Sequence, residues 1–412
     1  MKRKISTHDL KVGMFVAELD KRWEDAPFEP PFQLQGFKVH TSDEVKRVQN
    51  ECEYVYIDPT LGLASTRYLE DEQNLTTFVQ KFEQLVHKSP PSTYRDQSTM
   101  QEETPKARQV IDDTWQVYER VIGDIRSGKT VDTQGVQRVV GFLVDSIVRN
   151  QTAVGWLVRL KQQSDSAYDQ SISVCVMALT FGRYLGLPKD ELNILGSAAL
   201  LQDIGKIHLP TSLLEKVEPL TAEEMKLIRR HVDMSVVMLR KQSELSPKVI
   251  DIVYAHHERF DGAGYPRGLE KKQIGILSTI AGLVDSYEAM LADRPYREAR
   301  TSFQALMEIY EQRDRAFSNA MVEQFIQCVG IFPVGSFVQL TSGEIGIVVY
   351  RDRVQQLKPK IMILVDRDGE RITEPETINL ATQNVPPGTV PKLVNKVVDP
   401  RAHDLDPNEF FV

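Results

Sequence analysis

His256-His257-Glu258-Arg259-Phe260-Asp261-Gly262-Ala263-Gly264-Tyr265-Pro266-Arg267-Gly268-Leu269 is the stretch on which the reading of this chain turns. It opens with two adjacent imidazoles and continues into Asp-Gly and Gly-Tyr-Pro, which are turn signals. Upstream, Leu200-Leu201-Gln202-Asp203-Ile204-Gly205-Lys206 ends a helical pattern in a carboxylate, with a glycine where a C-cap is expected. His231 follows on a helical segment. Downstream, Asp285 interrupts the apolar run Ile280-Ala281-Gly282-Leu283-Val284. Asp203, His231, His256, His257 and Asp285 together form a mixed nitrogen and oxygen donor set. Such a set suits Fe, Mn, Zn or Co better than Ca or Mg, which take oxygen alone. A metal with an open position lowers the pKa of bound water to about 7.

Each residue also has a plain reading. A lone helix histidine is usually surface or core, and adjacent residues on a helix point about 100° apart. A buried Asp285 could cap or pair, and the glycines could simply make turns. The plain readings compete one by one, but all must hold at once to remove the site.

Around this stretch the pattern is helical. Val136, Val139, Val140, Leu143, Val144 and Ile147 follow i, i+3, i+4, i+7 spacing and predict one apolar stripe. Similar amphipathic segments cover 107–332, which reads as an all-α domain. Residues 1–87 read as a small α/β module. Its strands are expected at Gly13–Leu19 and Tyr54–Asp58, with a short helix from Ser42 to Cys52 and a helical pattern near 70–87; a proline-containing stretch runs from Pro27 to Pro31. Residues 88–106, with three prolines and almost no aliphatic side chains, have linker composition. From 333 to 412 the pattern turns strand-like at Val338–Leu340, Gly346–Tyr350 and Ile361–Val365, with Ser342-Gly343 and Asp368-Gly369 as turns; this predicts a β appendage and tail. The fold class is therefore mainly α, a helical bundle flanked by a small α/β module and a small β appendage.

Composition bounds the function. The 412 residues are 41% hydrophobic and 26% charged, which excludes wholesale disorder. The net charge of -8 argues against coating a nucleic acid polymer or an anionic membrane. Cys52, Cys175 and Cys328 form neither a disulfide framework nor a CxxC site, which favours a reducing, cytoplasmic setting. The basic start Met1-Lys2-Arg3-Lys4 leads into no apolar run, so no secretory signal or membrane span is expected.

The stretch 256–269 resembles, nearly in full, the HHExxDGxGYPxGL signature of the HD-GYP family, the bacterial cyclic di-GMP phosphodiesterases. Asp203-Ile204-Gly205-Lys206, His231, Asp285 and Arg294-Pro295-Tyr296-Arg297 fall at matching places. The resemblance covers about 107–330, and the N-terminal module is similar to the uncharacterised domain that precedes HD-GYP in one subgroup. It implies an HD-type helical bundle holding two or three divalent metals, Fe, Mn or similar, that activate water against a phosphodiester of cyclic di-GMP to give pGpG or GMP. It also implies that Asp203 bridges the metals, with His231, His256 and His257 completing one site and Asp285 serving the other. Lys206 and Arg294 would face phosphate, with Tyr265 and Pro266 among the substrate-binding positions and Asp203 and Lys206 the catalytic pair.

The chain departs from the family at the ligands of one metal. The histidine of the HD pair is Gln202, and an upstream family histidine is Gln170. A glutamate that serves a third metal in some relatives is Ala198. An amide is a poorer ligand than imidazole for such metals. His208 is the nearest alternative, but it is expected in a solvent-facing loop or turn, and Lys271-Lys272 reads as a surface pair. Two readings follow. One is a degenerate member that keeps one metal site, hydrolyses weakly or not at all, and senses cyclic di-GMP or scaffolds partners such as diguanylate cyclases. The other is an active metal-dependent phosphodiesterase. Oligomeric state is left open.

Overall fold

The computed structural model describes residues 3–7, 10, 14–19, 37–39, 42–52, 54–57 and 94–405, the last range without 162–166, 217, 219, 242–243, 293–298, 352–354, 356, 384–390, 399–402 and 404. The helical pattern near 70–87, the stretch Pro27–Pro31 and Arg294 lie outside the described residues. The chain divides into two compact units, Met1–Glu83 and Gln84–Val412.

In the first unit, β1 (Arg3–Ser6), β2 (Phe15–Leu19), β3 (Phe37–Lys38) and β4 (Tyr54–Ile57) form an antiparallel sheet of order β1-β4-β2-β3, with α1 (Ser42–Glu51) before β4. Val16, Val48 and Val55 are buried. The Thr7 hydroxyl donates to the Cys52 carbonyl at 2.9 Å and so fastens the end of α1 to β1.

The second unit begins with α2 (Met100–Arg126), α3 (Thr133–Arg149), α4 (Ala153–Lys161), α5 (Ala167–Tyr184) and α6 (Lys189–Leu201). The expected stripe lies on α3, and its six residues are all buried. Each such aliphatic side chain contributes about 1.5–3 kcal/mol relative to exposure. The expected linker requires a correction, because α2 starts at Met100. Thr99 and Glu102 form a reciprocal capping box, and Pro105 removes only one ladder donor close to the helix start. The buried carboxylate of Glu103 then accepts from Ser146 Oγ at 2.7 Å and Arg149 Nη2 at 2.7 Å, which ties this proline-bearing turn to α3.

After α6 a 3-10 turn (Ile204–His208) leads to α7 (Thr211–Leu214), α8 (Ala222–Arg229), α9 (His231–Arg240) and α10 (Pro247–Ala255). A loop and a second 3-10 turn (Lys271–Ile274) precede α11 (Ile276–Leu291), α12 (Ser302–Glu311) and α13 (Asn319–Val329). Gly205 is not the C-cap expected from sequence. It lies inside the 3-10 turn, where a Cβ would overlap the His231 carbonyl oxygen, so glycine is required for close approach to α9.

The chain closes in an antiparallel sheet of order β8-β7-β6-β5-β9, from β5 (Phe337–Leu340), β6 (Ile345–Tyr350), β7 (Lys360–Val365), β8 (Thr377–Asn379) and β9 (Val394–Val397). Phe337, Ile347, Leu364 and Val398 form its core. Gly343 and Gly369, at φ 101° and 89°, sit in the two expected turns. No described helix is long and apolar enough to cross a membrane.

Candidate metal centre

Asp203 stands between α6 and the 3-10 turn, and His231 opens α9. His256 and His257 occupy the turn that follows α10. The end of the helix answers the geometric objection to adjacent histidines. Off the helix the two rings need not diverge, and their centroids are 4.1 Å apart. One ligand atom from each of Asp203, His231, His256 and His257 falls within 4.8 Å of all the others.

The rings are oriented by backbone. His231 Nδ1 lies 2.7 Å from the Ile228 carbonyl, and His256 Nδ1 lies 2.6 Å from the Val253 carbonyl. A carbonyl only accepts, so each Nδ1 carries the proton and each Nε2 presents a lone pair. Both carbonyls belong to last turns of helices, which lack intrahelical donors. His231 Nε2 is 3.2 Å and His256 Nε2 4.0 Å from Asp203 Oδ1. All three atoms are buried and make no aligned hydrogen bond. Lone pairs converging on a carboxylate oxygen in this way fit a divalent cation.

Protonation favours the same role. Burial drives His256 down to about 3, and it likewise holds His257 well below its ordinary value, helped by His256 and His231. Burial alone would raise Asp203. Lys206, the His231 contact and His256 outweigh it and keep this carboxylate well below the usual range. Asp203, His256 and His257 are thus already deprotonated, as metal binding requires. Lys206 Nζ sits 2.8 Å from Asp203 Oδ2, leaving Oδ1 toward the imidazoles.

Asp285, on α11, is buried but stands outside this four-residue set. Burial, together with the Asp203 charge, raises it to about 6, and its Oδ1 has no hydrogen-bond partner. Gln202 is buried with neither amide atom hydrogen-bonded. Gln170 lies half-buried on α5, Ala198 is buried on α6, and His208 is exposed in the 3-10 turn. Lys271 and Lys272 are exposed.

Sequence reasoning misses how the 256–269 stretch is held. The buried Glu258 carboxylate accepts from the backbone N–H groups of Arg267 at 2.8 Å and Leu269 at 2.9 Å, clamping the loop end to its start. A Cβ on Gly264 would overlap the backbone of Glu258 and Arg259, and one on Gly282 would overlap the His256 carbonyl. The loop thereby stacks Tyr265 on His257, with ring centroids 4.6 Å apart, and leaves Pro266 exposed beside it. Arg229 reaches over the Tyr265 ring at 4.7 Å, a contact between distant segments that no motif signals. Burial pushes the Tyr265 phenol up, so it stays protonated and able to donate.

Comparison with known proteins agrees with this geometry. The chain is 31% identical to "Cyclic di-GMP phosphodiesterase PA4108" of Pseudomonas aeruginosa, over 88% of this chain and 85% of that protein. The chain belongs to the HD-GYP family. An HD domain matches residues 153–320 of this HD-GYP protein, a domain of unknown function (DUF3391) matches 2–136, and a KOW domain associated with HD domain matches 337–385. The chain is also similar to the response regulator RpfG of Xanthomonas campestris pv. campestris, a cyclic di-GMP phosphodiesterase by name. That identity is 38%, over 35% of this chain and 38% of that one. PdeB of Borreliella burgdorferi, named likewise, is 28% identical over 52% of this chain and 56% of its own.

Proposed function

We propose that this HD-GYP protein binds cyclic di-GMP through one divalent metal, Fe, Mn or similar, and hydrolyses it weakly or not at all. The observation that carries the reading is an asymmetry of donors. Asp203, His231, His256 and His257 converge, whereas the neighbouring positions hold Asp285 and the unpaired amide of Gln202. When bound, a divalent metal lowers the pKa of water and neutralises phosphate charge, and two metals together clamp both the entering and leaving oxygens. With amides at two ligand positions of one of the two clamps, Gln170 and Gln202, binding survives better than turnover.

The chain's own groups serve binding. His231, His256 and His257 offer lone pairs, and Asp203 Oδ1 adds the anionic donor. Lys206, about a third exposed, can exchange the Asp203 carboxylate for a phosphate oxygen. Tyr265 offers a phenolic donor, and Pro266 an exposed apolar edge. Arg294 is a further phosphate ligand in this reading, as guanidinium matches phosphate bidentately. The protein then acts in the cytoplasm as a cyclic di-GMP sensor or as a scaffold for signalling partners, diguanylate cyclases among them.

The second reading is an active phosphodiesterase yielding pGpG or GMP, favoured by the 31% identity along most of the chain to a protein so named. A metal count on anaerobically purified protein, with cyclic di-GMP binding and hydrolysis on the same sample, separates them. One metal per chain with binding and little turnover is expected. Two tightly held metals with sustained hydrolysis refute the proposal. The double change Gln170→His with Gln202→His is expected to raise both metal stoichiometry and hydrolysis.

A further inference from the structure

A cavity of about 960 Å³ opens among the start of α2, α4, α5, α11, the C-terminal end of α13 and β6, and none of the four metal-cluster residues lines it. Its wall is apolar at Trp156, Val176, Met177, Val329 and Val334. Its charges are unbalanced in a chain that is acidic as a whole. The described lining carries Arg95, Arg159 and Arg351 against Asp96 and Glu288, and Asp96 is itself held by the buried Arg183 at 2.7 Å. Arg351 donates to the Cys328 carbonyl at 2.7 Å, which fixes its guanidinium at the end of α13. Arg159, its side chain 24% exposed, is only loosely paired, with Nη2 3.5 Å from Glu288 Oε1, too long for a charge-assisted bond. A guanidinium held this loosely, with part of its surface open to the cavity, can take an anionic oxygen bidentately. Cavities of this size, largely apolar with a few directed polar groups, are the usual form of small-molecule sites.

We propose that this cavity binds a small organic anion with an apolar body, a carboxylate, sulfonate or phosphate, whose acidic group sits on Arg159. The site is separate from the metal centre and adds a second ligand to the chain. It draws on none of the residues assigned to cyclic di-GMP.

The test is a fluorescence titration of the intact chain with 8-anilinonaphthalene-1-sulfonate and with uncharged N-phenyl-1-naphthylamine, which shares its aromatic body. Saturable binding of one sulfonate per chain is expected, at least about tenfold tighter than the neutral dye. Met177→Trp, which fills the cavity, removes binding of both. Arg159→Met weakens the sulfonate about tenfold or more and spares the neutral dye. Because Arg159→Met also removes the ion pair to Glu288, thermal melts accompany both variants, and Met177→Trp provides an independent reading if the other misfolds. Equal affinity for the two dyes, or wild-type sulfonate binding in folded Met177→Trp, overturns the proposal.

Discussion

At His256 and His257 the chemistry is written in the sequence and the geometry is not. The pair signals ligation, yet adjacent helical residues diverge. Only the end of α10 at Ala255 frees both rings to face Asp203. His257→Ala is expected to lower metal affinity by more than about tenfold, since loss of even an outer-shell partner costs 10–100-fold. Competition with a chelator of known affinity measures it, with circular dichroism as the folding control. Glu258 presents the opposite case. Its place in the motif is plain, but its work is to receive two backbone N–H groups, which no local pattern reveals. Glu258→Gln keeps the size and loses a carboxylate oxygen, so about 1–3 kcal/mol of stability should disappear. Denaturant unfolding reads the loss, and Tyr265 should leave its stack on His257, which the imidazole NMR shifts report.

Among the elements, α2 and the β appendage are set by local devices of different visibility. The Thr99–Glu102 box starts α2 inside a proline-bearing stretch, and composition hides it because prolines dominate the average. Thr99→Ala should cost about 1 kcal/mol, checked by equilibrium unfolding. In the appendage, alternating β-branched residues and two glycine turns make β5, β6 and β7 legible from sequence. The ion pair that ties the β5–β6 turn to the segment before β9 is not. Lys392 and Glu344 are 48 residues apart and meet at 2.7 Å. Burial alone would raise Glu344; the Lys392 and Ser342 hydrogen bonds outweigh it and bring it down to about 2 from the ordinary 4.5. A depressed carboxylate stabilises the fold above its unfolded pKa, and that contribution is lost as pH falls from 4.5 through 2. Lys392→Met should therefore lower the melting temperature at pH 7 and flatten its decline between pH 4.5 and 2.

For the molecule as a whole, metal and fold are linked. Lone pairs held ready on His231 and His256 would bind a cation in the folded chain only, so a divalent metal at about a hundred times its Kd would add about 2.7 kcal/mol. Calorimetry with Mn²⁺ or Zn²⁺ should raise the melting temperature, and a chelator should reverse the rise. The His257→Ala chain should show a smaller rise at the same metal concentration. By itself the sequence determined the class of the chain. Helical periodicity, the strand-like tail and the 256–269 signature are short-range patterns, and the turn residues and donor types that carry them are local properties. It also places amides at positions 170 and 202, on which the proposed single-metal reading rests, because side-chain identity at a position is read directly from the chain. Only the tertiary structure decided which donors meet. It gathered Asp203, His231, His256 and His257, left Asp285 apart, and set Arg229 over Tyr265. These contacts join segments tens of residues apart, and they depend on helix ends, close glycine approaches and buried charge, which exist only once the chain has packed.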